Sequence, residues 1–227
     1  MRITAASDSS LLISFGDAIS LENHYRVISL FHAVRSWGDP RIRNLHPAYA
    51  SLLIDFDPLC LSHEDLQGIV EPLLRGAASG TGKSSSAVEI PVCYEAAFAA
   101  DLASVAQHCS LTAEQVIALH AAAGYFVYFL GFAPGFAYLG GLPRQLEVPR
   151  LPTPRKHVPA GSVALAGRQT GIYPNDSPGG WNLIGRTPLR MFDPSANPPS
   201  RLQPGDSVRI RRIDRNEFES IAKASAQ

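Results

Sequence analysis

The chain has 227 residues, of which 45% are hydrophobic and 18% are charged, and its 20 basic and 20 acidic residues balance to a net charge of zero. This length fits one large domain or two small ones, and the apolar fraction excludes a wholly disordered chain. No apolar run approaches the roughly 18 residues of a transmembrane helix, and no secretory signal follows the first methionine. We therefore expect a cytoplasmic protein that contacts no membrane.

The charge is unevenly distributed between the two halves of the chain. Residues 1–130 hold 7 basic and 13 acidic side chains, whereas residues 131–227 hold 13 basic and 7 acidic ones. This split favours an anionic partner for the C-terminal half, either a small acid, a phosphate or an acidic protein. A basic surface that only maintains solubility is an open alternative. Nucleic acid is not expected, because the arginines are scattered among prolines rather than clustered with aromatic residues.

Residues 1–76 are predicted to form a small α/β domain. Helical spacing of apolar residues alternates there with short apolar runs, which favours two helices on one face of an open sheet, a ferredoxin-like plait. The predicted elements are a strand over 11–15, a helix capped by Ser20, strands over 42–46 and 51–56, and a helix capped by Ser62 with Asp65.

Residues 77–87 are small and polar, and we interpret them as a linker. They include Gly82-Lys83-Ser84, which resembles the end of a P-loop. A P-loop also needs a glycine at position 77, where this chain has alanine, and a buried strand before the loop. We therefore predict no ATP site here.

Residues 88–227 are predicted to form the second domain. Helices are expected over 101–109 and from Thr112, where Gln115 completes a capping box, and a buried strand is expected over 125–130. Proline and glycine then recur between short apolar runs up to position 205, which is typical of a β-barrel with many short strands. The last predicted strand covers 207–211.

Several stretches of this second domain resemble a known family. They are Gly131 to Gly141 (GFAPGFAYLGG), Pro154-Arg155, Val158 to Gly167 (VPAGSVALAG), Gln169 to Pro174 (QTGIYP), Ser177 to Trp181 (SPGGW) and Ile184 to Leu189 (IGRTPL). Together they resemble the PxpB/KipI family, also called allophanate hydrolase subunit 1 or the carboxyltransferase C/D subdomain. The resemblance covers essentially the whole chain and implies a small N-terminal α/β domain followed by a cyclophilin-like β-barrel.

The resemblance also implies a function. Family members are similar to the B subunit of the bacterial ATP-dependent 5-oxoprolinase. That enzyme opens 5-oxoproline to L-glutamate and also needs its A and C subunits, of which the latter is of the carboxyltransferase A/B type. One alternative is a KipI-like inhibitor that binds a sensor histidine kinase. Another is half of a biotin-dependent carboxyltransferase acting on urea or allophanate-type amides.

The candidate substrate-binding residues follow from a substrate that carries a carboxylate and an amide. An arginine fork is the natural partner of a carboxylate, and Arg155 and Arg186 lie inside the matching motifs, with Arg150 close by. Arginines that tie barrel loops to backbone carbonyls would explain these positions equally well. Gln169 and Tyr173 could hydrogen-bond an amide, or they could satisfy and pack the buried loop.

Two further kinds of site are predicted from the residues. Backbone amides at Gly161-Ser162 and Gly179-Gly180 could form anion-binding nests, although glycine turns explain them as well. His120 shares a helix face with Val116 and is a candidate catalytic residue, with a core histidine as the alternative. The seven histidines show no metal-ligand spacing, so no metal is predicted.

The sequence lacks the parts that an autonomous ATP-coupled enzyme needs. It has no biotinyl Met-Lys-Met, no Walker motif and no Gly-x-Ser-x-Gly elbow. We therefore predict that ATP is used by a complex rather than held by a P-loop of this chain. Another polypeptide is expected to close the pocket.

Overall fold

A computed structural model describes residues 1–77 and 87–224 of the chain. The chain divides into two compact units, Met1–Ser84 and Ser85–Gln227. Of the predicted linker, only its first and last residues are described; Ala77 ends a helix and Ala87 precedes a strand. The Gly82-Lys83-Ser84 sequence lies outside the described residues.

The N-terminal unit is a four-stranded antiparallel sheet in the order β1-β2-β4-β3 with two helices. The helix caps predicted at Ser20 and Ser62 are both present, since each hydroxyl accepts the amide N–H three residues ahead. The elements are β1 Arg2–Ser7, β2 Ser10–Ser14, α1 Leu21–Trp37, β3 Ile42–Pro47, β4 Ser51–Phe56 and α2 His63–Ala77.

The order of elements in this unit differs from a ferredoxin-like plait. The plait runs βαββαβ, with its last strand after the second helix, whereas here the extra strand, β1, precedes the first predicted strand and pairs with it. The middle of the prediction is present: β2, β4 and β3 adjoin in that order, and one apolar cluster joins one sheet face to both helices. Strand β1 was missed because only Ile3 of its six residues packs toward that cluster.

The C-terminal unit is built on a closed seven-stranded barrel in the order β10-β7-β6-β13-β5-β12-β9. Strands β8 and β11 form a separate antiparallel ribbon. The elements are β5 Val88–Cys93, α3 Leu102–His108, α4 Ala113–Ala122, β6 Gly124–Leu130, β7 Ala137–Gly140, a 3₁₀ turn Arg144–Leu146, β8 Arg155–Val158, β9 Ser162–Ala166, β10 Gln169–Ile172, β11 Ser177–Gly179, β12 Asn182–Arg186, β13 Ser207–Ile213 and α5 Arg215–Ala224.

The barrel interior is apolar and is continuous with the buried faces of α3 and α4. Its closure needs β13, which runs parallel to β5 on one side and antiparallel to β6 on the other. The capping box predicted at Thr112 and Gln115 opens α4. Helix α5 was not predicted, and none of its residues is buried. Across the described ranges 1–77 and 87–224, no helix has the length and apolar character to cross a bilayer.

Candidate functional site

A cleft on the outside of the barrel collects three of the stretches that the sequence singles out. It has a volume of about 400 Å³, within the range of small-molecule sites. One wall comes from the turns before β9 and after β10 and from the end of β12, and α5 supplies the other. We call it the arginine cleft; its lining includes Gly161, Asn175, Arg186, Thr187, Arg190 and Phe218.

Arg186 is the best-positioned cation of the arginine cleft. Its Nε–H donates to the main-chain oxygen of Ala160 at 2.7 Å, which fixes the plane of the guanidinium. Among the described residues we find no acceptor for its two Nη groups. Arg190, the second arginine of the lining, reaches Asp193 only at 3.4 Å. The cleft therefore contains two guanidinium groups, of which that of Arg190 also pairs with Asp193.

Asp176 is near enough to Arg186 for the two charges to interact. The Asp176 carboxylate accepts the Ala160 N–H at 2.7 Å and contacts Nε2 of His157 at 3.0 Å. These two hydrogen bonds, together with the charge of Arg186, lower the pKa of Asp176 below its usual value. The carboxylate stays ionised and holds the loop, and it does not occupy the Arg186 fork.

The anion nest predicted at Gly161 and Ser162 is not available. The Gly161 N–H donates to the Tyr173 oxygen at 2.7 Å, and the Ser162 N–H donates to the Pro159 oxygen at 3.2 Å. Gly161 is needed for a different reason: its φ is +79°, and a Cβ there would lie 2.3 Å from the Thr187 oxygen. The glycine allows two turns of the cleft wall to touch.

Arg155 occupies a different place, at the start of the β8–β11 ribbon. Its Nη2 donates to Oδ1 of Asp101 at 2.5 Å, while Oδ2 of Asp101 accepts the Leu183 N–H at 2.7 Å. Asp101 is 7% exposed and so ties β8 to the barrel strand β12. Arg155 Nη1 is buried and has no hydrogen-bond partner among the described residues. No sequence signal pointed to Asp101, because an aspartate before a helix suggests a cap and this one caps nothing.

Tyr173 lies beside Arg155 in a set of packed rings that we call the aromatic cluster: Phe132, Phe136, Tyr138, Tyr173 and Trp181. Burial raises the pKa of the Tyr173 phenol, and the Trp181 N–H and the nearby charges of Arg150 and Arg155 partly offset that effect. The phenol is therefore protonated at neutral pH. Gly179 packs directly on it, since a Cβ at that position would lie 2.3 Å from the phenol oxygen.

The remaining predicted residues are separated from one another. Gln169 begins β10 and Tyr173 follows its end, so the two are about 13 Å apart along an extended strand. Arg150 is exposed near Tyr173. Gly180 accepts the Leu151 N–H through its oxygen at 2.8 Å, and Gly179 pairs with Arg155 in the ribbon. The predicted residues thus do not form one pocket. Gly161 and Arg186 lie at the arginine cleft, and Arg155, Tyr173 and Gly179 lie at the β8–β11 ribbon, while Gln169 is on β10.

His120 is a core residue and has no access to solvent. It is 0% exposed; its Nδ1 accepts from the Tyr94 hydroxyl at 2.7 Å, and its Nε2–H donates to Thr170 Oγ1 at 3.0 Å. The Thr170 hydroxyl donates its hydrogen bond to the Ala164 oxygen. Its oxygen must therefore be the acceptor in the bond with His120 Nε2. Burial lowers the pKa of His120 to about 3. The predicted catalytic role is therefore replaced by a structural one.

The arginine cleft can bind an anion but cannot by itself carry out acid–base chemistry. Its lining contains no Asp, Glu, His, Cys or Lys, and these are the groups that usually move protons or attack carbonyls. Within residues 1–77 and 87–224, no three His, Cys, Asp or Glu side chains are placed to hold a metal ion. A reaction at this cleft needs groups from another molecule.

Fold and site together define a class of protein: a small α/β unit and a closed seven-stranded barrel, with a cleft that is lined by two arginines and by no Asp, Glu, His, Cys or Lys. Residues 1–202 match the family described as carboxyltransferase domain, subdomain C and D, and the chain belongs to this family. Within it, the chain is 38% identical to a protein of Bacillus subtilis (strain 168) that is named as the B subunit of 5-oxoprolinase, over 99% of this chain and 98% of that protein.

Two other relatives carry the same name. A protein of Escherichia coli O157:H7 is 57% identical over 54% of this chain and 56% of its own length. A protein of Haemophilus influenzae is 37% identical over 92% of this chain and 97% of its own length. The chain is thus a member of the family of 5-oxoprolinase B subunits.

Solved structures support the fold. The structure of TTHA0988 is similar with a TM-score of 0.81 and 39% identity, and this chain covers only 40% of it. Protein PH0987 of Pyrococcus horikoshii is 46% identical over its whole length, with a TM-score of 0.58. The K. lactis urea amidolyase, at 21% identity and a TM-score of 0.71, shares the fold, and this chain covers 15% of it.

Proposed function

We propose that this chain is the B subunit of an ATP-dependent 5-oxoprolinase that opens 5-oxoproline to L-glutamate in the cytoplasm together with the A and C subunits. The observation that carries the proposal is the match, along nearly the full length of both proteins, to a 5-oxoprolinase B subunit. The carboxyltransferase alternative is consistent with the family match and with a likeness of fold to a urea carboxylase at 20% identity, but no curated relative reported above carries that name. We also propose that the barrel is cyclophilin-like, as the resemblance to the PxpB/KipI family implies.

The arginine cleft is the part of this chain that suits the substrate. 5-Oxoproline carries one carboxylate and one lactam amide, and the Nη groups of Arg186 can pair with the carboxylate through two parallel hydrogen bonds. The Asn175 side chain, which lines the same cleft, can donate to the lactam oxygen and accept from the lactam N–H. Arg190 adds positive charge to the cleft, which its ion pair with Asp193 partly offsets.

The chemistry of ring opening explains why the chain acts only within a complex. A lactam is a poor electrophile and recloses readily, so its hydrolysis needs coupling to ATP. Phosphorylation of the amide oxygen gives a better electrophile whose charge must be met by fixed donors. Because the cleft lacks a nucleophile and a general base, we assign ATP binding and water activation to the partner subunits.

Reconstitution from purified proteins tests the proposal. We expect glutamate and ADP to be released from 5-oxoproline by the mixture of this chain with the A and C subunits, and not by any mixture that omits one of the three. Turnover that is unchanged when this chain is left out would contradict the proposal, as would a complete mixture that releases no glutamate.

A further inference from the structure

Phe132 has an unusual backbone conformation for a large side chain. Its φ is +64°, and within residues 1–77 and 87–224 only one other non-glycine residue, Ser110, has a positive φ. A residue with a Cβ is strained in this left-handed region, and strain of this kind persists where function requires it. A glycine at position 132 would relieve the strain, so the presence of a phenylalanine needs a reason.

The packing of the Phe132 ring within the unit gives little compensation. The ring is 63% exposed, whereas Phe136 and Tyr173 below it are each 2% exposed. Its centroid lies 5.4 Å from that of Phe136 and 6.1 Å from that of Tyr173, both edge-on. The ring therefore stands on the aromatic cluster and projects into solvent, the arrangement of an interface anchor.

A positively charged segment flanks the same aromatic cluster. Residues 149–156 contain Arg150, Arg155 and Lys156 and no acidic residue. The charges of Arg150 and Arg155 act on the phenol of Tyr173, on which Phe132 rests. Arg155 also keeps one buried Nη group with no acceptor among the described residues. An exposed ring beside the exposed positive charges of Arg150 and Lys156 fits a partner surface that is apolar at its centre and acidic at its rim.

We propose that Phe132 and the segment 149–156 form the docking surface for a partner subunit that presents an apolar pocket rimmed by Asp or Glu carboxylates. The partner comes from the proposed function, on which this inference rests. The surface lies next to the arginine cleft: a Cβ on Gly135, three residues after Phe132, would lie 3.3 Å from Pro174 of the cleft lining. A partner docked on Phe132 is therefore placed to supply the catalytic groups that the cleft lacks.

Phe132→Gly tests the anchor, because glycine accepts the positive φ while the ring is lost. Binding of this chain to the purified A and C subunits, singly and together, would be measured by calorimetry alongside the melting temperature of each variant. We expect the variant to bind its partner at least tenfold more weakly and to melt no lower than the wild type. Phe132→Tyr keeps the ring and should bind normally. Leu59→Gly removes another exposed apolar side chain, 91% exposed in the N-terminal unit, and serves as the matched control.

Charge reversal tests the rim. Arg150→Glu should weaken binding at least tenfold at low salt, and the wild-type affinity should fall as ionic strength rises. Arg168→Glu is the control. Arg168 is a barrel arginine outside the proposed docking surface; its side chain is 61% exposed, and its Nε is 3.9 Å from Glu147 Oε2, a weak ion pair. This variant should bind the partner with the wild-type affinity.

The outcomes separate this inference from the proposed function. Wild-type binding by Phe132→Gly, or a parallel loss of affinity and melting temperature, would overturn the docking surface, and so would a wild-type chain that binds neither subunit. A wild-type mixture that assembles through Phe132 without releasing glutamate would support the docking surface and contradict the proposed activity.

Discussion

The guanidinium of Arg186 is held at one nitrogen and open at the other two. The bond from Nε to the Ala160 oxygen positions the group, and Arg186 lines the arginine cleft. Arg155 has the opposite arrangement, because its Nη2 is taken by the buried carboxylate of Asp101. The two arginines that the sequence presents as equivalent therefore differ in their contacts: Arg155 joins β8 to β12 through Asp101, whereas Arg186 is held only at Nε, and we propose it as the ligand-binding one.

Replacement of Arg186 by glutamine tests the ligand role. A hydrogen bond between charged groups contributes roughly 1.5–3 kcal/mol, so we expect KM for 5-oxoproline to rise about 10-fold to 100-fold in the reconstituted complex. The kcat should change much less, because the carboxylate is bound in the ground state and the transition state alike. Arg168→Gln is the control. A lowered melting temperature with an unchanged KM would mean that Arg186 only fastens the loop of Ala160.

At the scale of single residues, the sequence singled out Arg155 and Arg186 as candidates but could not predict where they lie in the fold. Arg155 and Arg186 could be selected because each stands in a distinctive motif. They are separated because Arg155 lies in the β8–β11 ribbon, whereas Arg186 lies in the barrel strand β12. No local sequence pattern predicts that the ribbon is a separate sheet. Asp101 was missed for a related reason: its contact to Arg155 spans 54 residues of chain.

At the scale of elements, the β8–β11 ribbon is shaped by close packing against Tyr173. Gly179 pairs with Arg155 and lies against the phenol, where a Cβ would be 2.3 Å from the oxygen and 2.7 Å from Cζ. Its neighbour Gly180 is in a looser place, with Pro154 Cγ as the nearest atom at 3.6 Å. Two adjacent glycines thus differ in whether a methyl group fits.

This contrast gives a matched pair of variants. Gly179→Ala should lower the free energy of unfolding by about 1–3 kcal/mol, as overpacking typically does, because Tyr173 is buried and has nowhere to move. Gly180→Ala should change it by less than about 0.5 kcal/mol. Urea unfolding followed by the fluorescence of Trp181 would measure both values. Equal stabilities for the two variants would show that the ribbon moves easily off the barrel.

Elements were predictable where a local signal coincided with burial. The caps at Ser20, Ser62 and Thr112 each precede an apolar stripe, and all three helices form. Helix α5 has a cap too, since Asp214 accepts the Glu217 N–H at 2.8 Å. Its apolar stripe, Phe218, Ile221 and Ala222, spans only about one turn, and none of its residues is fully buried, so the signal is weaker than at the other helices.

At the scale of the whole molecule, each unit contains one buried histidine. His24 lies in the N-terminal unit, 2% exposed, and His120 lies in the C-terminal unit, 0% exposed. Burial lowers the pKa of His24 to about 4 and that of His120 to about 3, from an ordinary value of 6.5. Below pH 6.5 the unfolded chain therefore binds protons that the folded chain does not.

The sign of the effect on stability follows from this difference. The free energy of unfolding falls as the pH is lowered from 6.5 toward 4, by up to about 1.4 kcal/mol per pH unit for each histidine. Carboxylates with a lowered pKa, such as Asp176 and Asp65, lose their contribution only at lower pH, below their ordinary value of 3.8. Between pH 4 and 6.5, the two histidines therefore determine how the free energy of unfolding changes with pH.

Trp37 and Trp181, one in each unit, make this testable unit by unit. In a Trp37→Phe background, urea unfolding followed by Trp181 should show a midpoint that falls between pH 6.5 and 4.5. His120→Gln can accept from Tyr94 and donate to Thr170 but does not titrate, so it should flatten that slope while costing about 1–2 kcal/mol at pH 7. His24→Gln should leave the pH dependence of the urea midpoint measured by Trp181 unchanged. In a Trp181→Phe background, it should flatten the pH dependence of the midpoint measured by Trp37. A Trp181 slope that survives in His120→Gln would mean that other groups control the acid stability of the barrel.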